Sequence, residues 1–168
     1  MPVQRIVAAM FVSLLLFAYL GTPVYARTTA PAARTAYVVY QINGNYADVL
    51  EDLRQAIIGR GMVIGAVSHV VEMLERTGKD LGQGKTIYAN GEVELFCSAV
   101  LSRKAMEKDV RNIVFCPYGI AVWTELAKPG KVFVGYRRAD PRGDAASLLT
   151  FREIEKLLDD IAREATRN

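Results

Sequence analysis

Two segments decide the fold of this chain: FCS at residues 96–98 and NIVFCPYGIAVW at residues 112–123. They contain both cysteines, the single tryptophan and the longest apolar run outside the N-terminus. The second segment holds only apolar and uncharged polar residues, which is typical of a strand covered on both faces or placed at a subunit contact. We therefore expect the fold to be organised around residues 91–136.

The rest of the chain predicts strands and helices on both sides of these segments. Alternating, β-branched and aromatic residues predict strands at residues 35–42, 62–68, 85–97, 112–124 and 131–138. Apolar residues at helical spacing predict helices at residues 46–58, 70–76, 99–108 and 148–165. The order β-α-β-α-β-α-β-β-α predicts a single α+β domain over residues 36–166, with a mostly antiparallel sheet and helices packed on it.

The dipeptide Asn90-Gly91 leaves two interpretations open. Asn-Gly between extended runs is a frequent two-residue hairpin turn. One long strand with a glycine bulge would use the same residues.

The N-terminus predicts export. Arg5 precedes an uncharged apolar run at residues 6–21, and small residues end at Ala26, so residues 1–26 are predicted to be a signal peptide cleaved near Ala26. Residues 27–35 are predicted to be a flexible leader. The mature protein is then periplasmic or secreted. The alternative is an uncleaved helix that anchors the chain in the inner membrane; no transmembrane span is predicted after signal removal.

Charge argues against nucleic-acid binding. Removing residues 1–26 takes away Arg5 and leaves 20 Lys and Arg against 18 Asp and Glu, a net charge of +2. A nucleic-acid-binding domain normally carries a much larger basic excess on one stripe. Neither DNA nor RNA is therefore a predicted partner.

Cys97 and Cys116 are the sharpest chemical feature, and three interpretations stay open. They are buried thiols, a structural disulfide, or a redox-active or metal-binding pair. A disulfide closing a loop of about 20 residues would stabilise the fold by roughly 3 kcal/mol. Cys97 precedes a predicted helix, whose N-terminus favours a thiolate, but no Cys-x-x-Cys spacing is present.

Further candidate residues are one histidine and a group on the later strands. His69 is the only histidine, and Cys97, Cys116, Met73 and Met106 are the residues with which it could complete a soft Cu(I) or Zn site, although they show no recognisable ligand spacing. Tyr118 and Tyr136 lie on strands expected to pair, and Arg137 follows directly. They are candidates to line a cleft for an anionic or aromatic ligand; the alternative is ordinary cross-strand aromatic packing beside a solvated basic turn.

The chain resembles a known family at several points between residues 37 and 136. These are GMVI after the first helix, FCS at the strand-to-helix junction, KAM on the following helix, and FCPY opening a strand that ends in VW. Together they are similar to domain of unknown function 302. The resemblance implies an α+β fold of the TATA-binding-protein-like kind, often dimeric, and one continuous strand into Cys97. It implies no activity.

Two functional hypotheses follow. The first is a non-enzymatic exported domain that binds an envelope partner or a small ligand through the sheet around Tyr118 and Tyr136, as a homodimer. The second is a thiol-redox or soft-metal protein that uses Cys97 and Cys116. No cofactor and no catalytic residue is predicted, because nucleotide-binding, serine-hydrolase and zinc-protease motifs are missing.

Overall fold

The structure is a computed structural model, and it describes residues 35–139 and 145–167. The predicted signal peptide and almost all of the predicted leader lie outside the described residues. No helix in the described part of the chain has the length and apolar character needed to cross a bilayer.

Five antiparallel strands form one sheet in the order β1-β5-β4-β3-β2. Their bounds are β1 Tyr37–Asn43, β2 Ile64–Ser68, β3 Tyr88–Phe96, β4 Tyr118–Glu125 and β5 Lys131–Arg137. The α-helices are α1 Tyr46–Ile58, α2 Val70–Asp80, α3 Ala99–Lys108 and α4 Leu148–Glu164, and a 3-10 helix spans Val110–Phe115. The predicted α+β class and the predicted order of strands and α-helices are confirmed.

The core lies between one face of the sheet and the helices α1 and α4, which also contact each other. Side chains alternate along a strand, so every second residue of β4 and β5 points into this layer. The strands contribute Phe96, Tyr118, Ile120, Val122, Val132, Val134 and Tyr136 to it. The helices contribute Val49, Leu53, Ile57, Phe151, Ile154, Leu158 and Ile161. We call this side the helix face and the other side the open face.

The alternatives at Asn90-Gly91 are resolved in favour of one long strand. β3 runs through both residues and pairs with β4 on both sides of a register shift between Tyr88 and Asn90. The backbone N–H and the side-chain amide of Asn90 both donate to Thr124 Oγ1, at 3.1 and 3.2 Å. The threonine hydroxyl therefore satisfies groups that the bulge leaves without a regular ladder partner.

The predicted strand at residues 112–124 is wrong in its first half, because a 3-10 helix occupies residues 110–115 and β4 begins at Tyr118. Polar side chains hold the helical turn. Asp109 accepts a hydrogen bond from the Arg111 N–H at 2.9 Å, and the Asn112 amide donates to the Ala105 carbonyl at 2.9 Å. Together these side-chain hydrogen bonds outweigh the strand preference of the apolar run.

Helix α2 is also longer than predicted, since it continues past Gly78 to Asp80. The other predicted boundaries agree with the structure to within about three residues.

Helix α4 is fixed to the sheet through Asp159. Its carboxylate accepts hydrogen bonds from the hydroxyls of Tyr40 and Tyr136 and from Arg163 Nε. Burial alone would raise the pKa of Asp159, but the three donors outweigh it, so this pKa lies below its usual value. Burial and the adjacent carboxylate raise the pKa of Tyr40 to about 12.

Replacing Asp159 with Asn should destabilise the fold in a pH-dependent way. Folding lowers the pKa of Asp159, so the ionised carboxylate stabilises the folded state. That stabilisation is complete above the unfolded-state pKa near 4 and is lost as the pH falls through the lower folded-state pKa. We expect the free energy of unfolding of D159N to be about 1–3 kcal/mol lower than that of wild type at pH 7. This difference in free energy should become smaller below about pH 4. Urea unfolding at several pH values measures this. A gap that stays constant down to pH 2 would contradict the assignment.

Candidate functional site

The open face carries an apolar surface that the strand register arranges in two rows. In one row Tyr37 of β1 pairs with Arg137 of β5, and Gly119 of β4 pairs with Leu95 of β3. In the next row Val39 lies beside Gly135, Gly135 beside Ala121, and Ala121 beside Val93. Each of the four strands therefore contributes one residue to the first row and another residue to the second row.

These two rows and Trp123 enclose a groove of about 590 Å³, which we call the open-face groove. The residues that line it are Tyr37, Val38, Val39, Val93, Leu95, Gly119, Ala121, Trp123, Gly135, Tyr136 and Arg137. Val39 and Tyr37 are 42% and 59% exposed. Among the described residues that line the groove, Arg137 alone carries a charge.

The two glycines leave room for neighbouring side chains to pack over the sheet. A Cβ atom on Gly135 would lie 2.9 Å from the Val38 carbonyl oxygen and 3.0 Å from Val39 Cγ2. One on Gly119 would lie 3.1 Å from Val93 Cγ1. Neighbouring side chains therefore lean over both glycines, and a larger residue at either position would push them apart.

Helix α2 and a pair of stacked aromatic rings close the other end of the open face. Val71 of α2 lies over Gly91, where a Cβ atom would come within 2.9 Å of Val71 Cγ2. The Trp123 and Phe133 rings stack at 5.3 Å, and the Lys128 ammonium lies 5.0 Å from the Phe133 ring centre. A smaller space of about 270 Å³ remains between α2 and the sheet and shares Val93, Ala121 and Trp123 with the groove.

Cys97 and Cys116 form a disulfide, with their Cα atoms 6.4 Å apart. Cys97 comes one residue before Ser98, which caps α3 by accepting a hydrogen bond from the Leu101 N–H at 3.3 Å. Both cysteines are partly exposed. A cleft of about 630 Å³ runs along Cys97, Pro117, Met62 and Ala66, and Leu95 separates it from the open-face groove.

Of the two predicted tyrosines, Tyr136 is among the residues that line the groove and Tyr118 is not. Tyr118 and Tyr136 are only 5% and 3% exposed and lie on the helix face. The Tyr118 hydroxyl is 2.9 Å from Ser102 Oγ, and burial raises the pKa of Tyr118. Burial, with the bond to Asp159, also raises the pKa of Tyr136. Of this predicted group, Arg137 reaches the groove with its side chain exposed, because it falls on the opposite alternation of β5.

His69 stands at the start of α2 without capping it through its side chain. Its Nδ1 lies 3.4 Å from Glu92 Oε2. Within residues 35–139 and 145–167, no group of three or more His, Cys, Asp or Glu side chains is arranged to hold a metal ion. The structure does not bring His69 together with the disulfide into a ligand set.

A buried ion pair lies on the helix face near His69. Glu94 is fully buried, and its Oε1 accepts from Arg54 Nε at 2.8 Å, while Arg54 Nη2 donates to Glu92 at 2.7 Å. Burial raises the pKa of Glu94, and Arg54 offsets part of that effect. This cluster joins α1 to β3; it could not be predicted from the sequence, because glutamates at alternate positions 92 and 94 of a strand are typical of a solvent-facing side.

The sequence also gave no indication of most groove residues. Val39, Val93, Ala121 and Gly135 are ordinary strand residues, and the available signal was the alternation that places them together on one side. That alternation does not predict which of the two sides the helices cover.

Within residues 35–139 and 145–167, the fold and surface define an α+β domain whose single antiparallel sheet is covered by helices on one face and largely uncovered on the other. A family model for the domain of unknown function DUF302 matches residues 38–166. The chain belongs to the DUF302 family, as its sequence motifs predicted.

One similar solved structure is the crystal structure of an uncharacterized conserved DUF302 protein from Bacillus stearothermophilus. The two share 14% sequence identity with a TM-score of 0.63, over 79% of this chain and 99% of that chain. At this identity the similarity shows a common fold. A search of curated proteins finds no match.

Proposed function

We propose that this protein is an exported, non-enzymatic binding domain that takes up an apolar ligand or partner on the open face of its sheet. The observation that supports this most strongly is the open-face groove, an apolar depression of about 590 Å³ built by four strands. Ligand sites are typically concave, mostly apolar and supplied with few polar groups. Export to the periplasm or beyond rests on the N-terminal signal features of the sequence; the alternative remains an inner-membrane anchor.

The composition of the groove supports binding over catalysis. Its described lining contains the Tyr37 phenol and the Arg137 guanidinium, but no carboxylate, imidazole or thiol side chain. Those three groups are the usual general acids, general bases and nucleophiles of enzymes. The groove therefore offers apolar contact and one positive charge.

Filling the groove at Ala121 should abolish binding. We expect A121F to fold, because a phenyl ring there points into open space and aromatic residues favour strands. Nile red, a neutral apolar dye, should bind the wild-type protein and lose at least tenfold in affinity with A121F, whereas V110F, at a position 78% exposed on the 3-10 helix, should bind as wild type does. Fluorescence titration measures the affinities.

The homodimer predicted from the sequence is the other occupant of the same face. If a second copy covers the groove, wild-type protein should sediment as a dimer and A121F as a monomer. The dimer should then not bind the dye. Wild type and A121F that agree in both dye affinity and sedimentation would overturn the open face as a binding surface.

A thiol-redox function is the second candidate, because the disulfide borders a cleft instead of lying in the core. An incoming dithiol would attack Cys116 Sγ and release Cys97 as a thiolate beside the N-terminus of α3, and its second thiol would then complete the two-electron reduction. The soft-metal form of this hypothesis would require that reduced state.

Dithiothreitol treatment followed by alkylation and mass measurement separates a redox-active from a structural disulfide. A redox-active pair should open in the native protein about as fast as in guanidinium-unfolded protein. A structural disulfide should open only on unfolding, and the C97S/C116S double variant should then lose roughly 3 kcal/mol of stability. Resistance of the native disulfide to reduction would remove the redox candidate.

A further inference from the structure

We propose that the ligand of the open-face groove is an apolar molecule bearing a carboxylate, with Arg137 as its anchor; this rests on the proposed binding function of that face. Arg137 and apolar side chains line the same depression. An elongated amphipathic anion, such as a medium-chain fatty acid, matches this pairing of charge and apolar surface.

The position of Arg137 is set by the sheet. β5 alternates between Val134 and Tyr136 on the helix face and Gly135 and Arg137 on the open face. Arg137 pairs with Tyr37, whose ring is 59% exposed. Both residues therefore lie at the same end of the groove, on the neighbouring strands β1 and β5.

The guanidinium of Arg137 has no ion-pair or hydrogen-bond partner within the described residues, in contrast to the next arginine. Arg138 donates to the Thr35 carbonyl at 3.0 Å and pairs with Glu155. Arg137 is exposed, and five N–H donors in a planar fork match a carboxylate in two-point contact.

Charge favours a small anion over a second copy of the chain. In a symmetric face-to-face dimer the same patch meets itself. The partner's patch would present a second guanidinium and no acidic side chain, since Arg137 is the one charged residue among the described groove lining. A carboxylate-bearing ligand supplies the missing negative charge.

The dimensions favour an elongated apolar part. The groove crosses β1, β5, β4 and β3, and the path from Arg137 on β5 to β3 covers two strand spacings, or about 10 Å. Along that path the ligand would contact the side chains that lie over the two glycines, Val39 and Trp123 over Gly135 and Val93 over Gly119. With the carboxylate at Arg137, the chain would run across Gly119 and Ala121 toward Leu95 and Val93.

The experiment uses the protein purified after export and displacement of Nile red by two probes of equal chain length, sodium dodecanoate and dodecan-1-ol. We expect dodecanoate to bind wild-type protein at least tenfold more tightly than the alcohol. R137Q should remove that preference by weakening dodecanoate about tenfold or more and leaving the alcohol unchanged. Higher salt should weaken dodecanoate alone.

Two variants keep the result interpretable. R137K keeps the charge but not the planar fork, so it should retain part of the preference. R152Q, which removes an exposed arginine from α4 on the other side of the sheet, should bind both probes as wild type does. Melting temperatures report whether each variant is folded.

Equal affinities for acid and alcohol in wild type, or an R137Q variant that retains the preference, would overturn the carboxylate assignment while leaving an apolar binding face intact. An R152Q variant that loses the preference as R137Q does would also overturn it. If neither probe displaces the dye and A121F behaves as wild type, the proposed function itself fails.

Discussion

The antiparallel register of the sheet is the constraint on which the rest of this structure depends. Because side chains alternate along each strand, one register puts Ile120, Val122, Val134 and Tyr136 on one face and Gly119, Ala121 and Gly135 on the other. A shift by one residue would exchange the two faces completely. Among the helices of the described segments, α1 and α4 cover the first face, and α2 covers one end of the second.

Polar contacts reinforce this register from the helix side. Asp159 connects α4 to Tyr40 of β1 and Tyr136 of β5, and Arg54 connects α1 to Glu92 and Glu94 of β3. Each cluster would lose its partners if a strand slipped, so the buried polar groups specify one arrangement where apolar packing alone would tolerate others. The disulfide adds a covalent connection between the end of β3 and the start of β4.

Much of the fold could be predicted from the sequence, because strand and helix periodicities are local. α3 was predicted at its observed bounds since Ser98 caps it and an apolar stripe follows. The strand predicted at residues 112–124 was wrong at its start because Asn112 is held by hydrogen bonds to distant partners. These partners are Ala105 in α3 and Ser147 directly before α4. Such tertiary contacts override a local preference for strand.

The candidate site was less predictable. Tyr118 and Tyr136 were expected in a cleft because they lie on strands expected to pair, with Arg137 following directly, yet their hydroxyls bond to Ser102 and Asp159 on the helix face. Arg137 was found from its position after a strand. The groove residues could not be found, since alternation separates two sets of side chains but does not say which set the helices cover.

Mapping the site by NMR tests the central claim, that the open face is the binding surface, most directly. ¹⁵N-labelled protein is titrated with dodecanoate. If the ligand binds on the open face, the largest changes in amide chemical shift should occur at Val39, Val93, Ala121 and Gly135, while the amide shifts of α1 and α4 should stay unchanged. Changes centred instead on the cleft at Met62 and Cys97, or no changes with either dodecanoate or dodecanol, would contradict it.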